Sequence, residues 1–399
     1  MSDRPYREWR EYPVIAGGRT YQVATKPGVI SHGRADAAAH LLAEHVLVNE
    51  GETIVHLNCG NGLAGAASRI AGKAGTVVLA DRNVLSVEAT RRTLAANGLA
   101  AVAVVAGHGA SAIPGDLLAD VVTIRIPQER VAILQLLASA FSRLRRGGSC
   151  YIAGATNEGI NTAARTMETL FGNAVVLARD SSHRVIRAVK RTDDASTDGE
   201  KGHEYLEPDA FHEQHAELRG EPYTFYSRPG VFSWDHVDEA TVILAEAMRV
   251  ERGERVLDLG CGSGILGIVA SGLSGGGPLT MVDVDTEAVR SAHRSAVAND
   301  VTNFRTCASD IAGAVLDERF DVVVTNPPFH VGKATDLSVP MQFIGDAWEV
   351  LSPGGRLLLV ANRTLPYENA IRHRFGAVES LHDGPRFKVL SAVRGSSAS

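Results

Sequence analysis

The stretch ERVLDLGCGSGILG, residues 254–267, decides the fold of the second half of this chain. Its first part, Arg255–Leu259, is a short apolar run typical of a buried strand, and the apolar run after the glycines predicts a helix. Gly260, Gly262 and Gly264 allow the sharp turn between them. Short apolar strands continue to alternate with amphipathic helices along the chain. This alternation predicts an α/β fold with a doubly wound, mostly parallel, seven-stranded sheet.

The same pattern occurs 202 residues earlier in the chain. ETIVHLNCGNGLAG (52–65) aligns with the stretch above, and TKPGVISHGRADAAAHLLAEHV (25–46) aligns with SRPGVFSWDHVDEATVILAEAM (227–248). ADVVTIRIPQ (119–128) aligns with FDVVVTNPPF (320–329). We interpret this as a tandem duplication of one Rossmann-like domain. The predicted domains are residues 1–191 and residues 223–399, joined by a linker at 192–222.

Charge is unevenly distributed along the 399 residues, whose net charge is −6. Residues 1–191 hold 22 Lys and Arg against 15 Asp and Glu, whereas residues 192–222 hold 2 against 10. A basic first domain favours a polyanionic partner, and the acidic stretch is typical of a solvated linker. No apolar run is long enough to span a bilayer. The 4 cysteines form no disulfide framework, so a cytoplasmic location is expected.

Acidic residues flank the glycine turn of the second domain. Asp283 ends the next strand, where a carboxylate can accept two ribose hydroxyls, and Asp310 follows the third strand, within reach of an adenine amine. GSGILG also fits the dinucleotide fingerprint GxGxxG. Asp258, however, would repel a pyrophosphate at the helix N-terminus and suits the cationic end of S-adenosylmethionine. The predicted cofactor-binding residues are Asp258, Gly260, Cys261, Gly262, Gly264, Asp283 and Asp310.

TNPPFH, residues 325–330, directly follows another predicted strand. Prolines fix the backbone and donate no hydrogen bond, so the Asn326 side-chain oxygen and the Pro327 carbonyl can accept from a planar amine. Phe329 offers a face on which a base can stack. This pattern predicts methyl transfer to an amine by orientation, without a metal. The predicted catalytic residues are Asn326, Pro327, Pro328 and Phe329, with His330 either bonding the loop or relaying a proton.

The first domain lacks this chemistry. His56 aligns with Asp258 and Asn58 with Gly260. The four residues aligned with the catalytic set are Arg125, Ile126, Pro127 and Gln128. We therefore expect a degenerate copy that folds and holds substrate but neither binds the cofactor well nor positions an amine.

Taken together, the duplication, PGVFS, DLGCGSG, NPPFH and the tail ANRTLPYE…FG…RFKVL resemble the bacterial ribosomal RNA guanine-N2 methyltransferases of the RsmC/RlmG type. The resemblance covers nearly the whole chain. It implies two tandem class I methyltransferase folds and transfer of a methyl group from S-adenosylmethionine to a guanine N2 in ribosomal RNA, leaving S-adenosylhomocysteine. The small-subunit 16S RNA is favoured over the 23S RNA. The expected partner is ribosomal RNA or an assembling subunit, and the expected state is a monomer.

Some features leave alternatives open. Members of this family often have Gly within a DxGS or DxGT sequence after PGVFS, where this chain has Asp238, Glu239, Ala240 and Thr241. The same amine chemistry would serve a protein glutamine N5 or an adenine N6, and a ribosome-assembly factor without turnover is a further reading. HEQH at 212–215 is one residue short of the zinc motif HExxH, so no metal site is predicted.

Overall fold

The structure is a computed structural model that describes residues 6–30, 32, 34–194, 202–328 and 337–395. The chain divides into two compact units, Met1–Ala210 and Phe211–Ser399. Each unit is described by itself below.

The first unit consists of a hairpin followed by a strand–helix alternation. Its strands are β1 (Arg10–Ala16), β2 (Arg19–Thr25), β3 (Thr53–Leu57), β4 (Thr76–Asp81), β5 (Ala103–Ala106), β6 (Ala119–Arg125), β7 (Leu144–Ala155), β8 (Val175–Asp180) and β9 (His183–Val189). Its α-helices are α1 (Ala37–His45), α2 (Leu63–Ile70), α3 (Val84–Ala96), α4 (Arg130–Arg143) and α5 (Ile160–Phe171).

The second unit repeats this order. Its strands are β10 (His212–Leu218), β11 (Glu221–Ser227), β12 (Val256–Leu259), β13 (Leu279–Asp283), β14 (Phe304–Ala308), β15 (Phe320–Thr325), β16 (Leu351–Asn362), β17 (Glu379–Asp383) and β18 (Phe387–Val393). Its α-helices are α6 (Glu239–Ala247), α7 (Ile265–Leu273), α8 (Thr286–Ala298), α9 (Ser338–Val350) and α10 (Tyr367–Phe375).

Each unit contains a seven-stranded sheet with the same strand order. The order is β5-β4-β3-β6-β7-β9-β8 in the first unit and β14-β13-β12-β15-β16-β18-β17 in the second. The first five strands of each order pair in parallel, and the last two pair antiparallel. The fold class predicted from the sequence is therefore confirmed. In such sheets ligands bind at the carboxyl ends of the strands where the order reverses, here beside β12 and β15.

Burial explains why the central strands read as continuous apolar runs. All four residues of β12 are buried, and β15 is buried from Val322 to Thr325 because helices cover both faces of the sheet. The apolar residues of α7 pack against β12 and β13 in one hydrophobic core. This packing holds the turn between β12 and α7 against the rigid centre of the sheet.

The expected linker at residues 192–222 differs from the structure in its second half. Residues 212–222 form β10 and the start of β11, an antiparallel hairpin that pairs His212 with Ser227 and Leu218 with Glu221. This hairpin corresponds to β1–β2 of the first unit. The charged residues of β10 alternate with the buried Gln214 and Leu218, so a separate two-stranded hairpin with one solvent-exposed face resembles a solvated linker in the sequence.

An aromatic residue at the start of each hairpin extends the duplication to residue 211. The ring of Trp9 lies 4.6 Å from the guanidinium of Arg92, and the ring of Phe211 lies 4.7 Å from that of Arg294. Trp9 and Phe211 are 202 residues apart in the sequence, and so are Arg92 and Arg294. The residue types differ, which hides this part of the repeat.

Within the described ranges, no helix has the length and hydropathy that crossing a membrane requires.

Candidate active site

Asp258 lies inside the second unit, near the end of β12. Its side chain is 1% exposed, and its Oδ2 accepts a hydrogen bond of 2.8 Å from the backbone N–H of Gly267 in α7. Its Oδ1 is buried and has no hydrogen-bond partner among the described residues. Burial, with a contribution from the nearby charge of Asp283, raises the pKa of Asp258 to about 7. A positive group beside Asp258 would favour the ionised form.

The glycine turn follows directly. Gly262 has a φ of +52°, and no described atom lies within 4 Å of the position that a Cβ would take there. Gly264 has a φ of +86°, and a Cβ would lie 3.1 Å from the Cα of Ala292 in α8. The two glycines therefore do different things. Gly264 lets two helices pack closely, whereas Gly262 leaves an open surface at the carboxyl edge of the sheet.

Asp283 is held against the glycine turn at the end of β13. Its Oδ2 accepts from the backbone N–H of Gly262 at 2.9 Å, and its Oδ1 accepts from that of Asp285 at 3.0 Å. Asp310 follows β14, the next strand of the sheet, in a half-buried position. Three of the acidic residues predicted for the cofactor are thus carried by the neighbouring strands β12, β13 and β14, at the same edge.

One hydrogen bond joins the two sequence motifs. The hydroxyl of Thr325, the last residue of β15, donates to the backbone carbonyl of Leu259 at 2.7 Å. Leu259 is the last residue of β12, so Asn326 and Gly260 both leave the sheet immediately beyond this contact. The predicted amine-binding residue and the predicted cofactor turn are therefore neighbours.

The side chain of Asn326 is fixed at one end only. Its Nδ2 donates to Oδ2 of Asp238 at 3.1 Å and to Oγ1 of Thr241 at 3.0 Å. Its Oδ1 is buried and has no hydrogen-bond partner in the part of the chain that the structure describes. Buried acceptors are nearly always paired in folded proteins. The exception at Asn326 makes this oxygen a candidate acceptor for a bound group.

The remaining predicted residues are placed as follows. Pro327 is buried and Pro328 is exposed, directly after Asn326. Phe329 and His330 lie outside the described residues. Cys261 is buried in the turn, and burial raises the pKa of its thiol well above the usual value. A thiol in this state is a poor nucleophile, so Cys261 acts as a small buried residue of the turn.

In the first unit, a buried ion-pair network takes the place of the Asn326 contact. Arg125 is 7% exposed, and its Nε lies 3.3 Å from Oδ2 of Asp36 while its Nη2 lies 2.8 Å from Oε1 of Glu158. Burial alone would lower the pKa of Arg125, but these two carboxylates outweigh it and raise the pKa. The side chain is thus a structural ion-pair partner, and no acceptor for an amine is present at this position.

The turn of the first unit keeps its geometry but has an apolar side chain beside it. Asp81 accepts from the N–H of Gly60 at 3.0 Å, as Asp283 does from Gly262. However, Cγ2 of Ile30 lies 3.4 Å from the position of a Cβ on Gly60. Burial lowers the pKa of His56 to about 3, so a neutral imidazole stands where the second unit has Asp258. These contacts are consistent with a degenerate copy.

Sequence reasoning missed the partners of Asn326. Asp238 is the N-cap of α6, where its Oδ2 accepts from the N–H of Thr241 at 2.9 Å. Asp36 is the N-cap of α1 in the first unit, 202 residues earlier, and it contacts Arg125. The recurrence of this acid in both copies was a signal available in the sequence.

Across the described ranges, no cluster of three or more His, Cys, Asp or Glu has a metal-binding arrangement.

Comparison with known proteins gives the same result for both halves of the chain. The family model described as "Methyltransferase small domain" matches residues 20–187 and residues 222–391. Ribosomal RNA small subunit methyltransferase C of Hahella chejuensis is 31% identical over 283 residues, which cover 71% of this chain and 80% of the relative. The protein of the same name from Pseudomonas aeruginosa is 32% identical over 272 residues, covering 67% of this chain and 77% of the relative.

A solved structure supports the whole-chain match. The T. thermophilus 16S rRNA N2 methyltransferase RsmC, which acts on guanine 1207, was solved in complex with AdoMet and guanosine. It is 30% identical to this chain, covers 96% of it with 98% of its own length, and superimposes with a TM-score of 0.81. Both the duplicated fold and the sequence relatives lead to one conclusion: the chain belongs to the ribosomal RNA small subunit methyltransferase C family of S-adenosylmethionine-dependent enzymes.

Proposed function

We propose that the second unit transfers a methyl group from S-adenosylmethionine to the exocyclic N2 amine of a guanine in 16S ribosomal RNA. The observation that carries this proposal is the Oδ1 atom of Asn326, a buried acceptor without a described partner beside the glycine turn. The relatives named above act on small-subunit ribosomal RNA, and the T. thermophilus enzyme acts on guanine 1207. We assign the equivalent nucleotide as the target.

The residues around the turn fit the cofactor. When bound, S-adenosylmethionine supplies a methyl group on a positively charged sulfur. Asp258 carries a buried oxygen without a described partner, which suits the positive charge of the cofactor. The open side of Gly262 leaves room for a ligand close to the backbone. We assign the ribose to Asp283 and the adenine amine to Asp310. Asp283 ends β13, which neighbours β12 in the sheet, and Asp310 follows β14, which neighbours β13.

The amine is positioned by acceptors. Oδ1 of Asn326 would accept one hydrogen of the guanine N2, and we assign the second hydrogen to the carbonyl of Pro327. Two acceptors on one amine draw its nitrogen toward sp³ geometry, so its lone pair leaves the plane of the base. The chain then contributes mainly proximity and orientation. No strong base is required, because the amine becomes acidic only after it has attacked.

We assign the first unit to RNA binding. Arg125 stands in the first unit where the second has Asn326, and residues 1–191 hold 22 Lys and Arg against 15 Asp and Glu. Positive side chains bind the phosphate backbone without regard to sequence. A ribosomal RNA substrate also implies that the protein works in the bacterial cytoplasm.

Nucleoside mass spectrometry of ribosomal RNA from a deletion strain tests the proposal. The deletion should remove one N2-methylguanosine from the 16S RNA, the wild-type gene should restore it, and a gene carrying Asn326→Ala should not. The variant should still bind S-adenosylmethionine, because Asn326 is assigned to the amine. An unchanged 16S RNA in the deletion strain, or full restoration by Asn326→Ala, would contradict the proposal.

A further inference from the structure

We propose that Asp238 and Thr241 are positioning residues that determine which end of the Asn326 amide faces the substrate. This inference rests on the proposed role of Asn326 in accepting a hydrogen bond from the target amine. It extends that role to two residues that contact the Asn326 amide from another element of the fold. The two residues lie on the first turn of α6, and Asn326 lies beyond the end of β15.

The hydrogen-bond chemistry of the two partners allows one orientation of the amide. A carboxylate only accepts, so Oδ2 of Asp238, at 3.1 Å, requires a donor from Asn326. The hydroxyl of Thr241 lies 3.2 Å from that same Oδ2 and donates its single hydrogen there. Its oxygen can then only accept from Asn326, at 3.0 Å. Both neighbours therefore select the NH₂ end of the amide.

Reversal of the amide would have two consequences. Oδ1 of Asn326 would face the oxygens of Asp238 and Thr241, and this contact between acceptors would replace both hydrogen bonds. The NH₂ group would in turn face the substrate, where it would donate and could not bind an amine. Leaving buried acceptors unpaired is strongly unfavourable. Thus the pair on α6 makes the site selective for groups that donate, such as a guanine N2.

The first unit supplies an internal comparison. The acid is present in both copies, as Asp36 and Asp238, and it caps the corresponding helix in each. In the first copy it pairs with Arg125, and the position of Thr241 is taken by Ala39. The hydroxyl is therefore found only in the copy that has Asn326. This agrees with a role toward the amide, because the helix cap itself does not require a hydroxyl at that position.

Substitutions at Thr241 separate orientation from packing. Thr241→Val keeps the shape of the side chain and removes the acceptor, whereas Thr241→Ser keeps the acceptor and removes a methyl group. If Thr241 orients the amide, Thr241→Val should lower kcat by about tenfold or more, and the kcat of Thr241→Ser should stay near that of the wild type. If this buried residue only packs, the order should be reversed. Methyl transfer to the RNA substrate gives kcat and KM, and calorimetry gives the affinity for S-adenosylmethionine, which should change little.

A second pair tests Asp238. Asp238→Asn offers an oxygen at the same distance from the backbone and should retain most of the activity. Asp238→Ser remains a good N-cap, but its oxygen lies one bond closer to the backbone. We expect Asp238→Ser to lower kcat by about tenfold or more. Its midpoint of thermal unfolding should stay close to that of the Asp238→Asn variant.

The outcomes distinguish the inference from the proposed function. An active wild type, an inactive Asn326→Ala and a Thr241→Val variant as active as Thr241→Ser would overturn the inference and leave the proposed function standing. A wild type that does not methylate guanine N2 would overturn both. Loss of kcat in Thr241→Val and Asp238→Ser, with rescue in Thr241→Ser and Asp238→Asn, is the result that supports it.

Discussion

At the scale of single residues, the buried oxygens without described partners in the second unit include Oδ1 of Asp258 and Oδ1 of Asn326, which lie where two neighbouring strands end. An unpaired buried acceptor costs about 1–3 kcal/mol. The chain bears this cost twice at one edge of the sheet, where β12 and β15 end. Bound ligands could satisfy both atoms. The positive charge of the cofactor suits the carboxylate of Asp258, and an amine suits the amide oxygen of Asn326.

The pKa of Asp258 leads to a prediction for cofactor binding. Burial raises this pKa to about 7, so the group is about half protonated at neutral pH. A cationic ligand beside it should lower the pKa, and binding should therefore release a proton. We expect the affinity for S-adenosylmethionine to increase between about pH 6 and about pH 8. Calorimetry in buffers of different ionisation enthalpy measures the proton directly.

Asp258→Asn is the matched control. The variant keeps an oxygen for the N–H of Gly267 but cannot ionise, so both the proton release and the pH dependence should disappear. Its stability without ligand should also differ in a set direction. The raised pKa means that the wild type loses stability as the pH rises from the ordinary carboxyl value of 3.8 to about 7, so the Asn variant should gain relative to it over that range. Proton release that persists in Asp258→Asn would assign it to another group.

The sequence predicts Asp258, Asp283 and Asn326 as site residues because each lies at a fixed spacing from a strand end. It did not identify how Asn326 is held, because Asp238 is 88 residues away along the chain. It also did not show that Asp283 supports the turn through the N–H of Gly262. Contacts of this kind depend on which strands become neighbours, which a residue pattern predicts only in outline.

At the scale of elements, the strand-to-helix turn occurs in both copies and gives a matched pair of variants. Gly262→Ala meets no described atom, so its cost is the strain of a positive φ, about 1–2 kcal/mol. The added methyl group would project into the open side of the turn. We expect this variant to fold and to lose at least about tenfold in affinity for S-adenosylmethionine.

Gly60→Ala introduces the same strain at the corresponding turn of the first unit, with a φ of +60°. Because Ile30 already covers that turn, we expect the affinity for the cofactor to be unchanged. Thermal unfolding shows whether both variants fold, and calorimetry compares their cofactor binding. Equal losses of affinity in the two variants would argue against a single cofactor site in the second unit.

The ion-pair network of the first unit predicts a purely structural variant. Arg125→Ala leaves the buried Asp36 and the half-buried Glu158 without their cation, which should lower the free energy of unfolding by about 3–5 kcal/mol. Cofactor affinity should not change. Burial would raise the pKa of Glu158, but the charge of Arg125 outweighs it and lowers that pKa.

The sign of the pH dependence follows from Glu158. A depressed pKa stabilises the fold above the ordinary pKa of the carboxyl, and this stabilisation is lost as the pH falls through the depressed value. The difference in unfolding midpoint between wild type and Arg125→Ala should therefore shrink in acid. A difference that is the same at all pH values would mean that the ion pairs contribute little.

The elements themselves were largely predictable. Buried parallel strands are continuous apolar runs, and the glycine turn fixes where β12 ends and α7 begins. The hairpin of β10 and β11 was missed because its charged face resembles a linker, and its partner hairpin β1–β2 shares little sequence with it. The hairpin is a separate two-stranded sheet whose buried residues Leu218 and Phe225 join the core of the second unit, and so few apolar residues leave a weak signal in composition.

At the scale of the whole molecule, the proposed function places RNA binding in the first unit and methyl transfer in the second. We predict that the unit of residues 211–399, produced alone, binds S-adenosylmethionine like the full chain. Its kcat/KM for ribosomal RNA should fall by about tenfold or more, because it lacks the basic stretch of residues 1–191. The comparison requires a folded second unit, which its cofactor affinity reports. Undiminished kcat/KM would remove the RNA-binding role from the first unit.

The aspartate that caps α1 and α6, Asp36 in the first unit and Asp238 in the second, suggests how the first unit could have lost its activity. In one copy this carboxylate steadies an amide, and in the other it neutralises a guanidinium. An arginine arriving at the strand end would thus have met a ready counter-ion, and the scaffold would have survived the change intact. Inactivation by such a route preserves all seven strands of the sheet, so an ancestral enzyme could give up one reaction centre and keep its architecture for another use.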